Sequence, residues 1–277
     1  MQTIQPPNPW RNLWLIGQFE LVRLFFTIRG IVALLAFAMV WYFILKYPIS
    51  QAAQIISIPG FKDSVGDMFG QVGLKNVLEW PVAEFAVFWL CSLYLFPMFT
   101  LFITSDQTSS DRSRGTLRFL TLRASRDSIF FGRFLGQVMI QILLLSAITL
   151  ATFIMSIWND NSQWQSALYS ALIMVVNLII VILPFTAMMS LCSALARSSR
   201  LASMLAMLGS GLLFGVVGYL YYKWPVLEPL FYLIPGYQIF DLIQSNHWQT
   251  LQHSWLPLLQ TLVLLLLGRS VLQRSAL

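Results

Sequence analysis

Between Ser105 and Gly136 the chain reads SDQTSSDRSRGTLRFLTLRASRDSIFFGRFLG. Five arginines, Arg112, Arg114, Arg118, Arg123 and Arg126, are spaced around Leu117, Leu120 and Leu122. Gly115 is a break, and the residues from Thr116 onward have the spacing of a short amphipathic helix. That is more positive charge than is needed to orient a hairpin at a membrane. A short helix with arginines around leucine contacts suits docking into a groove on another protein.

Other chemistries find little support. ATP hydrolysis needs a GxxxxGK[ST] loop, whose backbone amides cradle phosphate while lysine neutralises it. No such string occurs, so ATP and its magnesium would have to be bound by another chain, and no cofactor is expected on this one. Neither HExxH nor a GxSxG nucleophile setting is present. His247 and His253 stand without a carboxylate or cysteine cluster and read as interfacial polar residues. Cys91 and Cys192, both inside apolar blocks, read as small buried side chains. Nucleic-acid binding is disfavoured, because the basic residues sit at the ends of apolar blocks and do not alternate with stacking aromatics. Ion-coupled transport calls for ionisable groups at the centres of spans, each costing about 2.5–3.5 kcal/mol to insert. The later spans carry none there; Glu84 lies near a span end, and Asn177 is merely polar.

Of 277 residues, 57% are apolar and 10% charged, against roughly a quarter charged in an ordinary soluble chain. The apolar residues form blocks of about 20, the length that crosses ~30 Å of hydrocarbon as a helix. Six such spans are expected, at about 30–47, 81–104, 134–158, 167–196, 201–222 and 251–268. The fourth contains Pro184, where a kink is expected. The first block follows a long lead that includes Glu20, so it reads as a retained span and not a cleaved leader. If the N-terminus is cytoplasmic, all thirteen arginines fall on the inner face and Lys46, Lys62, Lys75 and Lys223 on the outer one. This asymmetry places both termini in the cytoplasm. Seven acidic residues (Asp63, Asp67, Glu79, Glu84, Asp160, Glu228 and Asp241) lie at or beyond the outer boundary.

The expected fold is therefore an all-α integral membrane protein, residues 1–277 forming a single transmembrane domain, with three structured stretches between spans. Residues 10–28 have amphipathic spacing with Trp10 and Trp14 as anchors, suited to lying in the inner interface among membrane lipids. The alternative is that they simply lengthen the first span. Residues 48–80, punctuated by Gly60, Gly66, Gly70 and Gly73, are expected to form short helices on the outer leaflet. Residues 223–250 carry Pro225, Pro229 and Pro235 in apolar sequence, which predicts broken helices dipping into the outer membrane under protein cover. Two small-residue spacings, Gly132-x-x-x-Gly136 and Gly211-x-x-x-Gly215 with Gly218, allow close helix approach, either within the chain or to another one.

On these residues the chain resembles the permease subunits of type-2 ABC transporters. Such permeases show an acidic–arginine pair, two residues, Gly-Thr-Leu, a Ser-Arg pair, and a Gly–basic pair opening the third span. Here they are matched by Asp111-Arg112, Gly115-Thr116-Leu117, Ser125-Arg126 and Gly132-Arg133. Leu233 to Pro235 and Phe240 to Leu242 look like the family's outer segment before the last span. Two departures add positive charge: Arg118 stands where the family commonly has an acid, and Arg123 where it commonly has proline. The long loop between the first two spans resembles permeases of the nitrous-oxide-reductase-maturation and gliding-motility type. The resemblance implies an exporter-like permease in the inner (plasma) membrane, itself not an enzyme. It also implies that the segment around Asp111 to Arg126 is the coupling helix for two ATP-binding subunits, with a second permease copy or a related chain alongside. An ion-coupled secondary transporter and a membrane scaffold subunit are the alternatives.

Overall fold

The computed structural model describes residues 9–56, 58, 77, 80–245 and 247–274. Regular structure among them is helical, with six helical stretches long and apolar enough to cross a membrane: Gly30–Ile56, Ala83–Ser113, Arg126–Asn159, Asn161–Leu195, Ser199–Lys223 and Trp248–Arg274. The outer pieces expected around Gly60, Gly66, Gly70 and Gly73 lie outside the described residues, with Lys62, Lys75, Asp63, Asp67 and Glu79.

Helix α1 (Pro9–Phe26) is separate from α2 (Ile28–Ile44). The break is Thr27, whose backbone is extended at φ −107° and ψ 144°. Its hydroxyl donates to the Arg23 carbonyl at 2.7 Å and accepts from the Gly30 N–H at 3.1 Å. One side chain therefore serves the last turn of one helix and the first turn of the next. The first span runs beyond its expected end at Tyr47: a π-helical turn, Leu45–Ile49, takes in Pro48 and leads into α3 (Ser50–Ile56). The wider turn accommodates a residue that has no N–H to give.

The second span is α4 (Ala83–Ile103). The third, α7 (Arg126–Asn159), begins well before its expected start at Phe134. At 34 residues it is about 50 Å long, more than a bilayer core needs, so its first turns stand beyond the apolar layer. Ser125 caps it by accepting from the Ser128 N–H at 3.1 Å. After a short turn in which Asp160 accepts from the N–H and hydroxyl of Ser162, α8 (Trp164–Leu195) returns and is continuous through Pro184. The last two spans are α9 (Ser199–Lys223) and α11 (Trp255–Arg274).

α8 is the axle of the bundle, packing against α4, α7, α9 and α11. Its apolar window is 67% buried, against 11% for the first span and 17% for α9. The main core joins Phe37, Trp41, Phe88, Leu93 and Phe96 from α2 and α4 to Leu145, Ile173, Met174 and Leu178 from α7 and α8. Buried polar side chains here bond to carbonyls one turn back: Thr149 to Leu145, Thr152 to Ile148, Asn177 to Ile173. Hydrocarbon offers no alternative partner, so such groups satisfy themselves locally.

Between α9 and α11 the chain forms a 3₁₀ stretch (Pro225–Leu233), a turn at Gly236 with φ +94°, α10 (Ile239–Gln244) and a second 3₁₀ stretch (His247–Ser254). Ile239, Leu242 and Ile243 enter the main core. Gln260 of α11 donates to the Tyr232 and Ile234 carbonyls at 2.8 and 3.1 Å, supplying partners for backbone that no helix satisfies.

The two glycine spacings part company. Gly132 and Gly136 lie under α1: a Cβ at Gly132 would stand 2.9 Å from the Leu13 carbonyl, and one at Gly136 2.9 Å from the Gly17 carbonyl. They are internal contacts, where backbones meet directly. Gly211, Gly215 and Gly218 face open space. Gly136→Ala is accordingly expected to destabilise the fold by about 1–3 kcal/mol, and Gly215→Ala by less than about 0.5 kcal/mol. Thermal unfolding of both variants in detergent measures this, and equal melting temperatures would contradict the α1–α7 packing.

Candidate functional site

The connection between α4 and α7 is folded throughout. A 3₁₀ turn (Thr104–Asp106) leads into α5 (Ser109–Ser113), and Gly115, at φ +72°, turns the chain into α6 (Thr116–Thr121). No atom crowds Gly115. Its requirement is the left-handed backbone alone, which other residues adopt only with strain. The Asp111 carboxylate closes the turn by accepting from the Thr116 hydroxyl at 3.0 Å.

This segment is tied to the bundle at three places. The first is α8. The N–H groups of Thr108 and Ser109 both donate to the Ser193 hydroxyl, at 2.8 and 3.0 Å. Arg112 donates to the Ala194 carbonyl at 2.8 Å, a cation on the C-terminal end of α8. Ser190 donates to the Gln107 carboxamide oxygen at 2.6 Å, and Thr186 to that of Gln141 at 3.0 Å, carrying the polar contact inward.

The second tie is ionic and buried. Arg133, 5% exposed, donates to Glu20 of α1 at 2.8 Å, and its other terminal nitrogen pairs with Asp111. Glu20, only 3% exposed, also accepts from Gln137 at 3.3 Å and lies 3.7 Å from Arg23. Arg23 in turn donates to Asp106 at 2.9 Å. Burial raises the Glu20 carboxyl above its ordinary pKa; Arg133 and then Arg23 oppose that rise, while Asp111 and Asp106 add to it. A charge so buried stands only with its partner, and removing one member of such a pair costs about 3–5 kcal/mol.

The third tie is to α11. Asp127 receives Arg269 through two bonds, at 3.0 and 2.7 Å, and Gln273 at 3.0 Å. Arg126 donates to the Leu272 and Gln273 carbonyls at 3.2 and 2.7 Å, near the end of α11. Beneath these contacts Leu117 packs with Ile129, Phe130 and Leu272.

What remains facing outward is the rest of the arginine segment. Arg114, Arg118 and Arg123 are exposed and are in no ion pair among the described residues. Phe119 and Leu122 are 72% and 82% exposed. A pocket of about 680 Å³ opens beside them, lined by Arg112, Ser113, Arg114, Gly115, Leu117, Arg118 and Arg197.

The sequence-expected residues therefore divide. Asp111, Arg112, Thr116, Leu117 and Arg126 hold the segment in place, and Leu120 is half-buried against it. Arg114, Arg118 and Arg123 present charge outward. Leu122 was expected among the apolar contacts, yet it points into the open because α6 ends at Thr121. Glu20 and Gln137 were missed, and Arg133 was seen only as part of a motif. The available signal was the three-residue spacing of Gly17 and Glu20, which puts them on one stripe of an amphipathic helix. At the opposite end of the bundle, His253 does have polar neighbours: its Nε2 is 3.2 Å from the Ser245 hydroxyl and its Nδ1 3.9 Å from Asp241. These groups are exposed or half-exposed, and the His247 side chain lies outside the described ones. Glu84, 9% exposed, accepts from Asn159 at 2.9 Å across the neighbouring span ends.

The sequence profile of ABC-2 family transporter proteins matches residues 28–267. The chain belongs to the ABC-2 transporter family. It is thus an ABC transporter permease, a multi-pass membrane protein. The family match covers the arginine segment, α7 and the outer broken helices, and leaves all of α1 outside. No curated protein matches the chain.

In this ABC-2 permease, Arg133→Ala strands Glu20, so a loss of about 3–5 kcal/mol is expected. Adding Glu20→Gln to it is expected to restore part of the loss. A carboxyl whose folded pKa is raised is stabilising at low pH, and that contribution fades as pH climbs through the folded value. The Arg133→Ala deficit should therefore widen as the pH rises above the ordinary carboxylate range, and this widening should vanish in the double variant. Melting curves from within that range to above it are the check.

Proposed function

We propose that this permease couples ATP hydrolysis in a separate ATP-binding subunit to movement across the inner (plasma) membrane, with both termini cytoplasmic. The carrying observation is the outward face of the 109–123 segment. It shows two large apolar side chains, Phe119 and Leu122, among exposed arginines, on a segment tied to three spans. A loop that only joined two spans would need none of these ties. Aromatic anchors ringed by arginine are the composition of a protein-docking surface. The coupling-helix assignment follows the match of Asp111-Arg112 and Gly115-Thr116-Leu117 to the family pattern. The excess of positive charge at Arg118 and Arg123 calls for an acidic partner face.

Two ATP-binding subunits, drawn together on binding ATP, would press two such segments and rock the spans as rigid bodies. Export is the direction that the resemblance implies. The buried charges among the described residues, Glu20, Glu84 and Arg133, lie at span ends and not at span centres. Ion coupling through the bundle is therefore the weaker reading.

The open face of α9 at Gly211, Gly215 and Gly218 supports a contact there with a second permease copy or a related chain. That face is apolar, little buried, and permits close backbone approach.

Two measurements follow. Purified in mild detergent, the permease is expected to bring its ATP-binding subunit with it. Phe119→Ala combined with Leu122→Ala should cut the recovered subunit about tenfold or more, the equivalent of about 1.4 kcal/mol, without lowering the melting temperature. Recovery unchanged by these substitutions would refute docking here. Separately, Gly215→Cys in a chain with Cys91→Ser and Cys192→Ser should form a disulfide-linked pair in membranes, whereas a cysteine at Trp158 should not.

A further inference from the structure

The pocket of about 680 Å³ beside the arginine segment draws its charge from two distant places in the chain. Arg112 and Arg118 come from α5 and α6, and Arg114 from the turn between them. Arg197 comes from the short turn that joins α8 to α9. None of the four is in an ion pair among the described residues. The neighbouring carboxylate, Asp111, is engaged by Arg133 and by the Thr116 hydroxyl. Four guanidinium groups around one hollow repel one another until an anion sits among them. Phe119 and Leu122 are not among the residues that line it.

The depth of the hollow selects the anion. Residues 196–198 are where the apolar spans α8 and α9 end, so Arg197 stands where hydrocarbon gives way to headgroups. Arg112 reaches the same level, because it donates to the Ala194 carbonyl at 2.8 Å. α9 also packs on residues 104–106 and on α5. Its first turns carry Leu201, Met204, Leu205 and Leu208, all exposed and spaced by three and four on a single stripe. A cationic hollow at the foot of an apolar helix face suits an amphiphile, with phosphate in the hollow and acyl chains along the helix. A soluble anion would use only the charge. Gly211, Gly215 and Gly218 lie further along α9, beyond this stripe.

We propose that this pocket holds the phosphate of an acidic phospholipid, from the leaflet that this end of the bundle meets. Its chains lie against the first turns of α9, and its phosphate bridges the arginine segment to the α8–α9 turn. The site is additional to docking: Arg114 and Arg118 belong to both surfaces, whereas Arg197 belongs to the pocket alone.

Phosphatidylglycerol titrated into the delipidated permease in an uncharged detergent tests this, with bound lipid counted by native mass spectrometry. It is expected to bind about fivefold or more tightly than phosphatidylcholine with the same chains. Arg197→Gln should weaken phosphatidylglycerol binding about fivefold, and Arg197→Glu about twentyfold, the effect of one and two charges beside a headgroup. Arg197 is exposed, so the melting temperature without lipid should not change. Arg274→Gln, which removes an exposed charge at the same end of the bundle but outside the pocket, should alter the affinity by less than about twofold. Equal affinity for the two lipids overturns the proposal. So does an equal loss in Arg274→Gln and Arg197→Gln, which would mean diffuse attraction to a basic surface.

Glycerol 3-phosphate, the headgroup phosphate without chains, should compete about a hundredfold less well, since the chains supply the difference. Competition at equal concentration would make this a site for soluble phosphate and overturn the lipid. Phe119→Ala combined with Leu122→Ala separates the site from docking, and should leave phosphatidylglycerol affinity within about twofold. A tenfold loss there would overturn the placement of the lipid. Normal lipid binding by a permease that recovers no ATP-binding subunit would overturn docking and leave the lipid site intact.

Discussion

A carboxylate with almost no access to water must be answered by a positive charge held in place, and that requirement organises the arginine-rich end of this molecule. Glu20 lies on a helix whose remaining surface is largely apolar. Its charge is tolerable only because Arg133 and Gln137 reach it from α7 and Arg23 stands one turn along. Arg133 reaches it only because α1 approaches so closely, and the closeness depends on Gly17, Gly132 and Gly136. Asp111 shares the same guanidinium, so the position of the arginine segment also depends on that contact.

The other ties follow the same physical pattern with weaker groups. Ser193 and Ala194, at the end of α8, accept from the start of the segment. Asp127 and Arg126 gather the end of α11. Three spans and the lead-in helix thus meet on about twenty residues. The apolar interiors of the spans could not by themselves specify that arrangement, because lipid solvates a leucine face as well as another helix does. Directional polar bonds at the ends of long helices supply the specificity, while α8 supplies the packing.

For the coupling proposed above, this division is useful. The outward face, Phe119, Leu122 and the exposed arginines, can meet a partner without breaking the internal ties. The ties themselves run to elements that span the membrane. Opposite them, the broken segment from Pro225 to Ser254 is held by Gln260 and by core contacts of α10, so both ends of α11 are fixed to neighbours.

Much of this was legible in order of physical strength. Hydrophobic length alone determines six spans, because bilayer thickness and helix rise leave no other solution, and Gly115 announces a turn because the backbone there needs φ above zero. The motif Asp111-Arg112, Gly115-Thr116-Leu117 pointed to the family that the profile match then showed. The first span overruns its expected end at Tyr47, since a π turn carries the helix through Pro48. What only the tertiary structure decided was pairing. Gly132 and Gly136 serve α1, while Gly211 and Gly215 face outward, though the spacing is identical; Arg126 is spent on carbonyls of α11, whereas Arg118 is in no ion pair among the described residues. Local sequence determines what each helix is, because periodicity and caps act within a few residues. Which helices touch depends on contacts between residues more than a hundred positions apart, such as Glu20 with Arg133, and no local pattern records that distance.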